Sequence, residues 1–242
     1  MEIWDLYDTS GKRTGKTIAR GEYIPEGFLH LTVDAVILNS KGETLLQRRA
    51  KEKKVYPDLW CITGGAALTG EDGVTACARE VEEELGFSPD MDTVRRISHY
   101  LRPEKRFMRE VFLIYQDIPL EEMRYQPGEV QDAMWILPEE IEADPALSAQ
   151  LHHLDFWKDI YPFILLESYR IRIPQGIYRH YKGNRYRMVG LSLHSETLEP
   201  MVIYRALYGS METWVRPAGM WQEMVDAEGK RLPRFALEEA AE

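Results

Sequence analysis

Residues 65–87 read GAALTGEDGVTACAREVEEELGF. Advancing 100° per residue from Val74 puts Val74, Cys77, Ala78, Val81 and Leu85 in one stripe, the pattern of a half-buried helix. Glu80, Glu83 and Glu84 share another sector, expected to face away from that stripe, while Glu82 stands apart as ordinary solvated charge. Gly86 sits where a left-handed C-cap belongs, and Glu71 and Asp72 sit where acidic side chains favour the helix dipole. The stretch predicts a helix of about four turns carrying three convergent carboxylates.

Like charges at i, i+3 and i+4 destabilise a helix by a few tenths of a kcal/mol per pair. A hard cation offsets that repulsion, and Mg2+ or Mn2+ takes carboxylate oxygens while keeping waters for chemistry. Arg79, four residues before Glu83, is placed to hold a carboxylate in orientation.

The same residues carry a family resemblance. Gly65, Glu71, Arg79, Glu80, Glu83, Glu84 and Gly86, with Val81 and Phe87, fit the spacing G-x5-E-x7-R-E-U-x-E-E-x-G-U, where U is bulky and apolar. This resembles the signature of the Nudix hydrolases, which cleave diphosphate linkages with Mg2+ or Mn2+. The resemblance implies an α/β/α sandwich with a mixed sheet over roughly residues 1–160. It also implies metal ligation by Glu80, Glu83 and Glu84 with a backbone carbonyl at Gly64 or Gly65. Glu71 and Gly65 would support the ligands from behind, and Arg79 would orient a glutamate. The general base would be a helix glutamate, Glu83 or Glu84, or a glutamate on a later loop, for which Glu129 is the candidate.

Composition bounds the rest. The chain has 242 residues, 44% hydrophobic and 29% charged, with a formal net charge of −10. That is an ordinary globular composition. Apolar runs are too short for a membrane span, and the N-terminus lacks the basic and apolar regions of a signal peptide. Cys61 and Cys77 form no C-x-x-C pair, so buried thiols in a reducing cytoplasm are expected. Residues 172–237 carry a net charge of +4 although the chain is acidic, which suggests a second unit with its own surface.

Strand-like runs at 2–8, 28–40, 44–49, 59–65, 93–101, 108–117 and around Trp135 alternate with turns. The spacing of Leu147, Leu151, Leu154 and Trp157 predicts one helix over 146–160. Residues 161–173 read as a packed connection. Beyond it, GIYRHYKG, YRMVGLSLHS, PMVIYRALYG and TWVRP are rich in β-branched and aromatic residues. They predict a small all-β unit over 174–237, barrel-like and of about five strands. This tail resembles a family of short bacterial domains with no established function. The matching residues are the run from Gly176 to Gly183, His194-Ser195-Glu196, Tyr204, Tyr208, Trp214-Val215-Arg216-Pro217 and Met220.

Arg48, Arg49 and Lys51 are candidates for substrate phosphates, and Trp60 and Tyr56 for stacking on a base. His30 opens a strand and reads as structural; His152-His153 lack a spaced third ligand for zinc. Three functions compete. The first is diphosphate hydrolysis of a nucleoside diphosphate derivative or similar metabolite. The second is isomerisation, because the N-terminal pattern with Arg20, His30 and LLQRR resembles the branch containing isopentenyl diphosphate isomerase. That enzyme's active-site cysteine has no counterpart in ITGGAALTGE, and Cys61 lies several residues too early. The third is a nucleotide- or RNA-binding regulator in which the basic tail reads the ligand or makes a homodimer. The run marking the NADH-cleaving branch is replaced by SPDMDT, and Pro103 lies near the proline of the ADP-ribose branch, so the substrate stays open.

Overall fold

The computed structural model describes residues 1–151, 154–227 and 229–241. It forms two compact units, Met1–Trp157 and Lys158–Glu242.

The first unit runs β1 (Ile3–Asp8), β2 (Arg13–Ala19), β3 (Phe28–Leu38), β4 (Thr44–Arg49), β5 (Trp60–Cys61), β6 (Thr63–Ala66), α1 (Gly73–Leu85), β7 (Arg95–Arg102), β8 (Phe107–Tyr115), β9 (Val130–Ile136), α2 (Pro138–Ala143) and α3 (Pro145–Ser148). β3 is the axis of a mixed sheet. It runs parallel to β8 from His30–Phe107 to Leu38–Tyr115 and antiparallel to β6 from Thr32–Ala66 to Ala35–Thr63. Side chains alternate across a strand. Leu29, Leu31, Val33, Ala35 and Ile37 therefore join Phe112 and Ile114 of β8 in a core with Ala76, Cys77, Val81 and Leu85 of α1. Val36, Leu38, Val111 and Leu113 point the other way and are also fully buried, so both faces of the sheet are covered.

The α1 helix is as predicted in extent, and its ends explain why. Asp72 caps it by accepting from the Thr75 N–H at 2.8 Å, and Gly86 ends it in the left-handed region at φ 77°. A β-carbon at Gly86 would also lie 2.7 Å from the Arg124 carbonyl oxygen. Gly86→Ala should therefore cost the first unit at least about 2 kcal/mol, since left-handed backbone alone costs an L-residue roughly 1–2 kcal/mol. Urea unfolding of the full chain measures this, and an unchanged midpoint would refute it.

Two expectations need correction. Val74 is not core: it is 37% exposed, and Ala76, at 0%, takes its place. The buried face is rotated toward Ala76 and Glu84, so Glu84 borders the apolar stripe instead of opposing it. The predicted helix over 146–160 is also not one helix. Asp144 caps α3 through the Ala146 and Leu147 N–H groups. The Gln150 carbonyl then accepts from the Trp60 N–H and Leu151 bridges to Trp60, so this backbone is committed to the strands. Helix α4 (Leu154–Arg172) follows. His152 and His153 lie outside the described residues.

The second unit contains the end of α4 and then β10 (Gly176–His180), β11 (Arg185–Leu193), β12 (Pro200–Ala206), β13 (Thr213–Pro217), α5 (Ala218–Gln222), β14 (Met224–Ala227), β15 (Lys230–Pro233) and β16 (Phe235–Ala240). Its five-stranded antiparallel sheet runs β13-β12-β11-β10-β16, and β14 pairs with β15 apart from it, so the described unit has seven strands where about five were expected. Tyr169, Ile173, Tyr178, Met188, Val202, Tyr204, Trp221 and Phe235 form its core. Among the described residues, no helix is long and apolar enough to cross a membrane.

Candidate active site

The site is built where β6 passes through a loop into α1. Arg79 is its organiser. Its guanidinium donates to Glu71 Oε1 and Oε2 (2.8 and 3.1 Å), Glu80 Oε1 (2.9 Å), Glu83 Oε2 (2.9 Å) and the Ala66 carbonyl (3.0 Å). A planar fork of five donors is suited to such a cluster in a way a lysine is not. Glu71 also accepts from the Leu68 N–H at 2.8 Å. Burial alone would raise its pKa, but the Arg79 and Leu68 hydrogen bonds outweigh that and hold it below the usual carboxylate value. Glu71 therefore ties the loop to the helix as an anion.

Glu84 has a different environment. It is 7% exposed and accepts from Gln47 Nε2 of β4 at 2.6 Å. Gln47 in turn accepts from the Thr63 hydroxyl at 3.1 Å, which fixes its amide orientation. Burial pushes Glu84 up to about 7, against the pull of the Gln47 hydrogen bond. Burial also raises Glu80, against the attraction of Arg79. Glu83 is more open, its side chain half exposed. Gly65 lets Glu80 approach the loop: a β-carbon there would stand 2.2 Å from Glu80 Oε1. At Gly64 it would stand 2.5 Å from the Val33 carbonyl oxygen.

Glu80, Glu83, Glu84 and Glu129 line one cavity of about 280 Å³ with Arg49 and Lys53. Glu129 forms an ion pair with Lys53. An adjoining cavity of about 140 Å³ shares Arg49, Gly64 and Gly65 and adds Asp34, Arg109 and Cys61. Asp34 faces Arg109 at 3.2 Å; burial pushes it up to about 6, although Arg109 opposes this.

The structure thus gathers Gly64, Gly65, Glu71, Arg79, Glu80, Glu83, Glu84, Glu129 and Arg49, all named from the sequence. Arg48 pairs instead with Asp58 at 3.0 Å and lies over the Trp60 ring. Lys51 is exposed, and neither residue lines these two cavities. Trp60 is buried, and Tyr56 sits exposed at φ 52°. His30 stacks on Trp4, centroids 4.6 Å apart, and burial, then Arg109, pushes it down to about 4. It is a neutral packed ring, as expected. Cys61 and Cys77 are free buried thiols, each pushed up to about 12 mainly by burial. Sequence reasoning missed Lys53 and the Asp34–Arg109 pair. The first is one of several lysines in KEKK, and the second joins strands far apart in the chain.

As arranged, no three carboxylate, thiol or imidazole groups among the described residues converge tightly enough to enclose an ion. Arg79 holds oxygens of Glu80 and Glu83, and Gln47 holds Glu84.

Comparison with known proteins agrees with this geometry. Residues 28–156 match the model of the NUDIX domain, and residues 176–237 match a family described as "Protein of unknown function (DUF1653)". An uncharacterised Nudix hydrolase of Listeria monocytogenes is 39% identical over 145 residues, covering 59% of this chain and 84% of that protein. An isopentenyl-diphosphate Δ-isomerase of Halorhodospira halophila is 28% identical over 148 residues, covering 60% of this chain and 85% of that protein. A crystal structure of DR0079 from Deinococcus radiodurans is similar in fold, with a TM-score of 0.55 and 22% identity over 66% of this chain and 99% of that one. A domain match over more than half of the chain and a relative of this identity establish that the protein belongs to the Nudix hydrolase family.

Proposed function

We propose that the first unit is a Mg2+- or Mn2+-dependent diphosphohydrolase acting on a small molecule, with Glu80, Glu83 and Glu84 holding the cation together with a carbonyl oxygen at Gly64 or Gly65. The observation that carries this reading is the lining of one cavity by these three carboxylates and Glu129, with Arg49 and Lys53 beside them. The donor set fits a hard cation, since every candidate ligand atom is an oxygen. The burial that raises Glu80 and Glu84 marks carboxylates that a nearby cation would stabilise. When bound, such a cation neutralises phosphate charge and activates water.

The chain's own residues do the rest. Arg49 and Lys53 bind phosphate oxygens. Arg79 keeps Glu80 and Glu83 aimed into the cavity, and the Thr63–Gln47–Glu84 hydrogen bonds fix Glu84. Glu129, set by Lys53, is the candidate to take the proton from the attacking water. The adjoining cavity with Asp34 and Arg109 is where the organic part of the substrate would extend. Isomerisation is the weaker reading, because the only cysteine lining either cavity is Cys61, whose thiol burial keeps protonated.

A panel of diphosphate-linked metabolites, with and without Mg2+, tests the proposal. The expected result is metal-dependent release of a phosphate monoester from at least one of them. Allylic isomer formation from isopentenyl diphosphate without hydrolysis would reverse the two readings.

A further inference from the structure

The second unit gathers positive charge and unmatched hydrogen-bond donors around one ring. Trp221 stacks on Phe235, centroids 3.8 Å apart and planes 4° apart. His180 meets the same ring at 4.8 Å, and the Arg216 guanidinium carbon lies over it at 5.8 Å. Tyr186 completes the surround at 5.7 Å. His180, Lys182 and Arg216 come from the runs GIYRHYKG and TWVRP. Neither run has a part in the diphosphate cavity.

The donors are in excess. Arg216 Nε, on a half-buried side chain, meets no acceptor among the described residues; Trp221 Nε1 is also unmatched but lies in the core, out of a ligand's reach. His180 Nδ1 accepts from the Lys182 N–H at 3.3 Å, which leaves Nε2 as the donor nitrogen of the neutral ring. Burial keeps that ring neutral, and so do the nearby Arg216, Arg234 and Lys182. The charges are also in excess. Arg234 is held by Glu223, Nε to Oε2 at 3.0 Å, but Arg216 and Lys182 have no carboxylate partner in the described structure. Tyr186 and Tyr208 share a hydroxyl hydrogen bond at 2.6 Å.

A surplus of N–H donors with two uncompensated cations calls for an acceptor-rich anion. The arginine fork suits any planar pair of oxyanion oxygens. Two cations suit a phosphate, which carries about −1.5 to −2 at neutral pH, better than a singly charged carboxylate. Phe235 and Trp221 belong to the buried core, and the half-buried rings of Tyr186 and His180 at its edge add a surface for an apolar or planar substituent.

We propose that the second unit binds a phosphate monoester at Arg216, Lys182 and His180, with its organic part against the half-buried rings of His180 and Tyr186. This does not rest on the reading of the first unit.

The full-length protein, kept in chelator at fixed ionic strength, is titrated with inorganic phosphate, phenyl phosphate and benzoate. Tryptophan fluorescence and amide NMR shifts report binding. Saturable binding of both phosphates is expected, phenyl phosphate the tighter, with benzoate weaker. Arg216→Ala should weaken both phosphates by at least about tenfold, and Arg216→Lys by less, because it keeps the charge and loses the fork. The amide shifts should fall within the second unit. No saturable binding by the wild type overturns the proposal. So does unchanged affinity in a folded Arg216→Ala protein, or amide shifts confined to the first unit. Benzoate binding as tightly as phenyl phosphate overturns the assignment to phosphate. Should Arg216→Ala fail to fold, Lys182→Ala on its exposed turn decides, with unchanged affinity counting against the site.

Discussion

Glu84→Gln will lower metal-dependent diphosphate cleavage on the order of a thousandfold, well beyond the roughly 10–100-fold typical of a partner that only orients a ligand. The substitution is nearly isosteric. The new side-chain carbonyl can still accept from Gln47 Nε2, which now bonds Glu84 at 2.6 Å, so the fold should survive. In chelator the variant should even gain stability at neutral pH. The wild-type carboxyl titrates at about 7 in the folded chain against an ordinary 4.5. The unfolded state then releases its proton first as pH rises, and this group weakens folding between roughly pH 4.5 and 7. Glutamine removes that slope. Urea midpoints at several pH values, beside steady-state kinetics, test both halves. Full activity in a folded Glu84→Gln protein would remove Glu84 from the chemistry.

Arg79→Ala is expected to cost the first unit about 3 kcal/mol in chelator, the scale for removing one partner of a buried charge network. The reason is the number of groups it leaves stranded. Glu71 Oε1, one oxygen each of Glu80 and Glu83, and the Ala66 carbonyl lose the Arg79 donor, and Glu71 Oε2 is left with the Leu68 N–H alone. Arg79→Lys should recover only part, because a single ammonium cannot meet five acceptors spread around a planar fork. A stability change within about 0.5 kcal/mol, the size of an ordinary surface substitution, would show that the network is solvated and weak.

Much of this site is written locally. The i, i+3, i+4 spacing of Glu80, Glu83 and Glu84 put them together on α1, and Arg79 and Gly86 hold the positions their spacing implied. What the helical wheel lacked was the neighbouring strand. Gln47 of β4 draws Glu84 into the protein, and Val74 is left outside because the buried face follows β3 and β8. The same limit hid β16. Its sequence, FALEEA, has little strand propensity, and it is a strand because β10 supplies a partner from Gly176–Ala240 to His180–Phe235. Asp34 and Arg109 were invisible for a related reason. Only the parallel pairing of β3 with β8 brings them side by side, and no local pattern encodes that register.

Gly64 and Gly65 have a bearing on how the protein can change over generations. Gly64 admits only a hydrogen where a side chain would begin, against the Val33 carbonyl, and a side chain at Gly65 would push Glu80 out of its place. The floor of the cleft is thus closed to mutational exploration. Diversification toward new metabolites must work through the walls, at positions such as Asp34 and Arg109 of the adjoining cavity, which holding the cation would not require. A lineage can then change what it degrades while leaving the degradative step untouched.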